Sequence, residues 1–276
     1  MNLKISQRFP GKRAFITGAG SGLGRSFCQW LARDGWHIFV SDIQPGPLEQ
    51  TCREINSLGG KAYSCQLDVS DEQAYLQAAR QCLDTLGGLD LLINNAGIGD
   101  GDLLSDYTTS LWKRMIEINL YGVLHGFKSF VPVFQKQKSG QIISIASAAG
   151  FVNPPGMSAY NASKAAVISL SETMYYELAI YQVGVTVLLP TFFKTNIMQF
   201  SQGSERVRAF ATRQMENSTT TAPELARVCL EGAANRRLYV LHPQKARTRW
   251  VLKRHFPRIL RKKILRNLST LLNLPD

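Results

Sequence analysis

Ala14-Phe15-Ile16-Thr17-Gly18-Ala19-Gly20-Ser21-Gly22-Leu23-Gly24 is the stretch whose reading decides the fold. A short apolar run meets a glycine-rich turn, and a helical pattern over Leu23–Asp34 follows. Glycines there let the backbone turn tightly and approach a pyrophosphate, which then rests on the helix N-terminus. Glycine-rich turns are common, so the spacing alone says little. Its place between a first strand and a first helix gives it weight. The residues that would meet such a ligand are Gly18, Ser21, Gly22, Leu23 and Gly24.

Outward from this turn the chain alternates short β-branched or apolar runs with helix-length segments. Strands are predicted at Ala14–Thr17, His37–Ser41, Ala62–Gln66, Leu89–Asn94, Gln141–Ile145, Val185–Leu189 and Leu238–Leu241. Helices are predicted over Leu23–Asp34, Leu48–Ser57, Asp71–Leu86, Ser110–Gln135, Tyr160–Tyr181 and Pro223–Asn235. Seven strands joined by six crossovers specify an α/β fold, a doubly wound parallel seven-stranded sheet with helices on both faces. No repeat or low-complexity linker divides the chain. Residues 1–243 read as one domain, with an insertion at 191–221 before the last helix, and residues 244–276 as a basic extension.

The chain has 276 residues, 45% of them hydrophobic, enough for a full core. No apolar run suits a signal peptide or a membrane span. Five scattered cysteines (Cys28, Cys52, Cys65, Cys82 and Cys229), without any CxxC, fit packed, reduced thiols and a cytoplasmic setting. Residues 1–231 hold 20 Lys/Arg and 19 Asp/Glu, whereas residues 232–276 hold 12 Lys/Arg and one acid, Asp276. The +12 net charge is therefore a property of the tail. A near-neutral body argues against a nucleic-acid-binding core.

Further motifs lie at successive strand ends. Asp42 closes the second strand, where a carboxylate can accept both ribose hydroxyls of NAD and repel the 2′-phosphate of NADP. An ordinary turn before Pro45 and Gly46 is the plainer reading of it. Asp68-Val69 is placed to contact an adenine, alongside a helix cap at Ser70 or Asp71. In Asn94-Asn95-Ala96-Gly97, small residues let a ligand pass and amides tie loops together. Each would more often be structural by itself. In chain order they point to one dinucleotide along the carboxyl ends of the strands.

Tyr160 and Lys164 stand four residues apart in a helical segment and so share a face. A free phenol has a pKa of about 10, and bringing it near 7 takes about 4 kcal/mol of preferential phenolate stabilisation. A neighbouring cation could contribute to that, which makes the pair an acid/base device at an oxygen. Ser147 lies thirteen residues earlier. His37, His125, His242 and His255 show no ligand spacing, and no metal is required.

The motifs Thr17-Gly18-x-x-x-Gly22-x-Gly24, Asp68, Asn94-Asn95-Ala96-Gly97, Asn119, Ser147 and Tyr160-x-x-x-Lys164 resemble those of the short-chain dehydrogenase/reductase family over residues 10–243. The resemblance implies a Rossmann-type subunit exchanging a hydride with a nicotinamide cofactor. It makes Tyr160 the general acid/base and has Ser147 hydrogen-bond the substrate oxygen. Lys164 would hold the nicotinamide ribose and depress the Tyr160 pKa, and Asn119 would position a water linking Lys164 to solvent. Asn95, Gly97, Phe193 and Thr195 would border the cofactor. NADP-preferring relatives carry basic residues where this chain has Ser21 and Ile43, so NAD is favoured over NADP. Thr191 and Phe193 depart from the family, in which Pro190 would be followed by glycine and Phe193 replaced by Val or Ile.

Phe192, Phe193, Ile197, Met198 and Phe200, with the loop 151–156, suggest a lid over a lipophilic alcohol or ketone; the alternative is packing within the domain. The family pairs two long helices across a twofold axis. Leu120, Val123, Leu124, Val167, Leu170 and Met174 would serve a homodimer here. In the tail, Leu260, Ile264, Leu268, Leu271 and Leu272 form a stripe opposite Arg258, Arg261, Lys262 and Arg266, after Trp250 and Phe256, with Pro257 at the first helical position. Three readings are weighed for residues 245–276: peripheral contact with the inner face of a membrane, packing of the leucines on the enzyme or a partner, and, third, contact with nucleic acid. It is similar to membrane-associated hydroxysteroid and retinol dehydrogenases of the family. Two rivals to an NAD-dependent dehydrogenase remain, an NADPH-dependent carbonyl reductase and a non-catalytic dinucleotide-binding scaffold.

Overall fold

The computed structural model describes residues 3–199 and 201–272, with side chains through residue 266. A short helix α1 (Lys4–Arg8) leads into β1 (Arg13–Thr17), α2 (Gly22–Ala32), β2 (His37–Asp42), α3 (Pro45–Ser57), β3 (Lys61–Gln66), α4 (Glu72–Leu86) and β4 (Leu91–Asn94). Then come α5 (Thr109–Ile116), a π-helical turn (Glu117–Tyr121), α6 (Gly122–Gln137), β5 (Gly140–Ile145), α7 (Ala149–Val152) and α8 (Ser158–Glu177). The chain continues through β6 (Val183–Pro190), α9 (Glu205–Glu216), α10 (Ala222–Ala234), β7 (Tyr239–His242), α11 (Gln244–His255) and α12 (Pro257–Leu272). All strands pair in parallel, in the order β3-β2-β1-β4-β5-β6-β7. The direction of winding reverses between β1 and β4, which opens a crevice at the carboxyl ends of those strands.

Both faces of the sheet are covered over β1, β2, β4, β5 and β6, the edge strands β3 and β7 staying partly exposed, and the period-2 alternation of the strands sorts side chains between two cores. Ala14, Ile16, Ile38, Val40, Leu91 and Ile93 meet Phe27 and Leu31 of α2, Ile55 of α3 and Leu225 of α10. Phe15, Phe39 and Leu92 face the other way, against Tyr75 of α4 and Phe130 and Phe134 of α6. Phe15 sits among the Phe39, Phe130 and Tyr75 rings, with centroids 5.0–6.0 Å away. At the end of the sheet remote from the glycine turn, Asp90 accepts from the Arg13 backbone N–H and, bidentately, from its guanidinium at 2.9–3.0 Å. That pair fastens β1 to β4 and delays the start of β4 to Leu91, two residues after the predicted Leu89.

The segment Ser110–Gln135, predicted as one helix, is broken by the π-turn at its centre. Among the residues expected at a dimer interface, Val123 and Val167 are instead buried in the subunit's own core, at 3% and 0% exposure. Leu120, Leu124, Leu170 and Met174 remain partly exposed.

Pro257 does open α12. The stripe assigned to a membrane under one reading, however, packs on the protein as far as its described side chains go. Leu260 is buried and Ile264 lines the central cleft. Trp250 lies edge-on to Phe151, at 4.9 Å, and against Tyr239, at 5.1 Å. The reason is local, since α7 and β7 present aromatic surface that the tail covers. The side chains of Leu268, Leu271 and Leu272, and all of Phe200 and Asp276, lie outside the described residues. Among the described residues no helix is long and apolar enough to cross a membrane.

Candidate active site

The glycine turn fits a dinucleotide for reasons that differ residue by residue. A Cβ on Gly24 would stand 2.2 Å from the Gly18 carbonyl oxygen, and one on Gly18 would stand 2.8 Å from the Cα of Ala96. These two positions keep the turn folded tightly against the loop after β4. Gly22 has φ +52°, and a Cβ there would point into space bordered only by the Thr195 hydroxyl. The first turn of α2 holds no acidic residue, and Ser21 makes no side-chain cap. Its N–H groups are left for an anionic ligand.

Asp42 is held at the edge of this cradle, its carboxylate accepting from the Gly20 and Gln44 backbone N–H groups at 2.8 and 3.0 Å. Asn95 ties the cradle together: its amide donates to the Thr17 and Gly18 carbonyls, and the Thr17 hydroxyl accepts from the Asn95 and Ala96 N–H groups. Asp68 is exposed and accepts from Ser70, while Asp71 provides the cap of α4. Two of the expected residues turn their side chains away from the cradle. The Leu23 side chain is in the core, and the Val69 side chain is buried against α6, where a Cβ on Gly122 would strike it at 2.7 Å. Contact of Leu23 or Val69 with a ligand therefore falls to the backbone.

Ser147, Tyr160 and Lys164 converge where β5 meets α8. The Ser147 hydroxyl lies beside the Tyr160 phenol and accepts from the Ala149 N–H that begins α7. The Lys164 ammonium is 5.7 Å from the Tyr160 ring centroid and donates to the Ile145 carbonyl at 2.9 Å. Burial pushes the phenol up to about 12, against a smaller lowering by the neighbouring Ser147 hydroxyl. Burial brings the Lys164 amine down to about 8. In the protein alone burial dominates at the phenol, and the lowering expected of Lys164 is left to the site with its cofactor bound.

Asn119 owes its place to the π-turn, which widens the helix by one residue and turns the side chain inward, a device frequent at functional sites. Its amide is fully buried, exchanging hydrogen bonds with the Ile98 backbone in both directions, 2.9 and 3.0 Å. A Cβ on Gly97 would stand 2.9 Å from Asn119 Oδ1 and 3.4 Å from Lys164 Nζ. Gly97 thus keeps open the space between those two side chains.

Ser147 and Tyr160 form part of the wall of a cleft that is partly open to solvent. Phe192, Phe193, Ile197 and Met198 line it, and Thr195 joins it to Gly22. The loop after Val152 supplies Pro154 and Pro155. Sequence reasoning missed three contributions. Asp100 is a buried carboxylate that accepts from Ser201 Oγ, Gln202 N and Gly203 N, pinning the lid to the loop after β4. Helix α9 adds Phe210 and Met215, and the tail adds Arg249, Leu260, Lys263 and Ile264. Only the helical spacing of Leu260 and Ile264 hinted at any of this.

A model of the short chain dehydrogenase family matches residues 12–206. A 3-oxoacyl-(acyl-carrier-protein) reductase of Thermotoga maritima is 32% identical over 84% of this chain and 94% of its own length. The (-)-trans-carveol dehydrogenase of Rhodococcus erythropolis is 34% identical over 79% of this chain and 83% of its own. Among solved structures, a short chain dehydrogenase/reductase from Burkholderia phymatum in complex with NAD aligns at TM-score 0.83 and 33% identity, covering 89% of this chain and 95% of that one. Sequence, topology and site geometry agree: the chain belongs to the short-chain dehydrogenase family and is an oxidoreductase.

Proposed function

We propose that the protein exchanges a hydride between NAD(H) and a lipophilic secondary alcohol or the corresponding ketone, with Tyr160 as general acid/base. The observation that carries this reading is the Ser147–Tyr160–Lys164 cluster in the wall of an apolar cleft that Thr195 joins to the glycine cradle. The cradle, the Asp42 carboxylate, Asp68, Asn95, Gly97, Phe193 and Thr195 would hold the cofactor. Bound there, NAD supplies a hydride acceptor and a positive ring beside the phenol.

Ser147 orients the substrate oxygen toward Tyr160. For ketone reduction, Tyr160 is ready, because burial keeps its proton on at neutral pH. For alcohol oxidation it must release that proton first, and added positive charge near the phenol lowers the cost. Lys164 is largely an ammonium at pH 7 and can hold a ribose hydroxyl. Asn119 holds the Ile98 backbone and, with Gly97, keeps a path open beside Lys164 for a water that carries the proton out. The carboxylate of Asp42 supports NAD over NADP, since a 2′-phosphate would meet a negative charge.

Tyr160→Phe tests the assignment. Turnover of any secondary alcohol should fall by about 10²-fold or more while the fold and cofactor binding persist. Undiminished turnover would remove Tyr160 from the chemistry, whereas no turnover of any alcohol or ketone by the parent protein would leave the scaffold reading standing.

The outer face of the tail supports a second, separate reading of peripheral membrane contact. Phe256, Ile259 and Leu265 are more than half exposed, beside exposed Arg258, Arg261 and Lys262. Each cation near an anionic bilayer contributes about 1 kcal/mol. Replacing the three apolar residues with serine should abolish flotation with anionic liposomes; equal flotation of variant and parent would discard this reading.

A further inference from the structure

The tail does more than close the cleft, because it brings in charge. Among the described residues, the lining of the cleft contains no Asp or Glu, and its charged side chains are Arg249 of α11 and Lys263 of α12. Most of the remaining wall is carbon. Lys263 is exposed, at the rim, whereas Arg249 is half-buried. Several other half-buried arginines have partners: Arg13 holds Asp90, Arg25 pairs with Glu54 and Arg8 donates to Gln141, whereas outside the cleft Arg114 leaves a buried Nη1 unpaired among the described residues. Arg249 makes neither an ion pair nor a hydrogen bond with any described residue. Burial lowers its pKa, a sign that water solvates it less than a surface arginine.

A partly desolvated guanidinium facing an apolar cavity is costly unless an anion meets it. With no carboxylate in the wall, that anion must arrive with the ligand. We infer that the substrate is amphipathic, with an apolar body filling the cleft and a carboxylate held by Arg249, aided by Lys263. A guanidinium fork matches the two oxygens of a carboxylate, and charge-assisted bonds of this kind are the stronger ones. This inference rests on the dehydrogenase reading and narrows its substrate to secondary hydroxy- or oxo-carboxylates.

The test uses straight-chain (ω−1)-hydroxycarboxylic acids of graded length and their methyl esters, with NAD and NADP, on the full-length protein. At the best-fitting length the acid should exceed its ester in kcat/KM by about tenfold or more. Arg249→Gln should erase that gap through KM and leave ester turnover within about twofold of the parent. Lys263→Gln, at an exposed position, should narrow it less. Equal turnover of acid and ester at every length, or an equal loss for both in Arg249→Gln, would overturn the inference. Calorimetric binding of decanoate against decanol gives a readout independent of chemistry. Decanoate binding tighter than decanol and weakened about tenfold by Arg249→Gln supports the anion site, and indifference to the substitution refutes it. If decanoate binds in this way but no secondary alcohol is turned over, the dehydrogenase reading fails while the anion site stands.

Discussion

Replacing Lys164 with methionine should end turnover and yet make the protein harder to unfold at neutral pH. The Lys164 side chain is 3% exposed, has the Ile145 carbonyl as its hydrogen-bond acceptor, and is brought by burial from 10.5 to about 8. An amine whose pKa is depressed on folding costs stability below the folded value, and that cost is relieved as pH rises toward the unfolded one. Between about pH 8 and 10.5 the unfolded chain holds a proton that the folded chain has released. Stability therefore climbs by about 1.4 kcal/mol per pH unit, roughly 3 kcal/mol in all. Methionine fills similar volume without charge, but it strands the Ile145 carbonyl, which costs about 1–3 kcal/mol. At pH 7 the variant should come out ahead by roughly 1 kcal/mol, and by pH 10 it should fall behind. The robust quantity is the change in the difference between the two proteins, about 2–3 kcal/mol between pH 7 and pH 10. Urea unfolding followed by tryptophan fluorescence at both pH values measures it, and titrations common to both proteins cancel. Parallel stability curves across that range would refute the claim that Lys164 is held in the fold against its own solvation.

Other expectations follow from the same geometry. Asp42→Ser should bring the NAD-to-NADP ratio of kcat/KM down by about tenfold, measured by cofactor titration with one alcohol, since it removes a carboxylate held by two N–H groups. Asp100→Ala should cut the lid's hydrogen bonds to Ser201, Gln202 and Gly203, raise KM more than it lowers kcat, and speed amide exchange over 191–216. Gly24→Ala would place a methyl 2.2 Å from the Gly18 carbonyl, so cofactor affinity and Tm should both fall; an unchanged Tm would mean the turn yields freely. Because burial keeps Tyr160 protonated, alcohol oxidation should speed up as pH rises from 7 to 9 while ketone reduction does not, as paired initial-rate profiles would reveal.

What was legible in the sequence is what repeats locally. Central strands buried on both faces read as apolar runs and the edge strands as short β-branched or aromatic ones, so all seven were located to within two residues at their ends. Glycine spacing and the Tyr160–Lys164 interval are short-range patterns that survive folding unchanged. What was not legible depended on contacts made at long range. No pattern within Ser110–Gln135 marks a π-turn at Asn119; the extra residue is stabilised by bonds to Ile98, twenty-one positions away. Asp100 reads as one more acid in a loop until Ser201 and Gly203 arrive beside it. Val123 and Val167 sit at helical spacings compatible with either face, and the sheet decided which one.

The tail illustrates the same limit with more consequence. An amphipathic basic helix carries in its sequence a stripe and a charged face, but not the identity of what the stripe covers. Leu260 and Ile264 could lie in lipid as well as over a cleft, since both environments are apolar and hydrophobicity has no direction. What separates the two is the neighbour of the stripe. Lys263 lies next to Ile264 in sequence and shares its cavity, and Arg249, a helix away, joins it there. A helix that existed only to bind membrane would have no reason to turn an arginine into an apolar pocket beside Tyr160. Chemistry common to the family therefore sits on the sheet ends, where residue spacing can announce it. Selection of a substrate falls to the extension, where only three-dimensional proximity can.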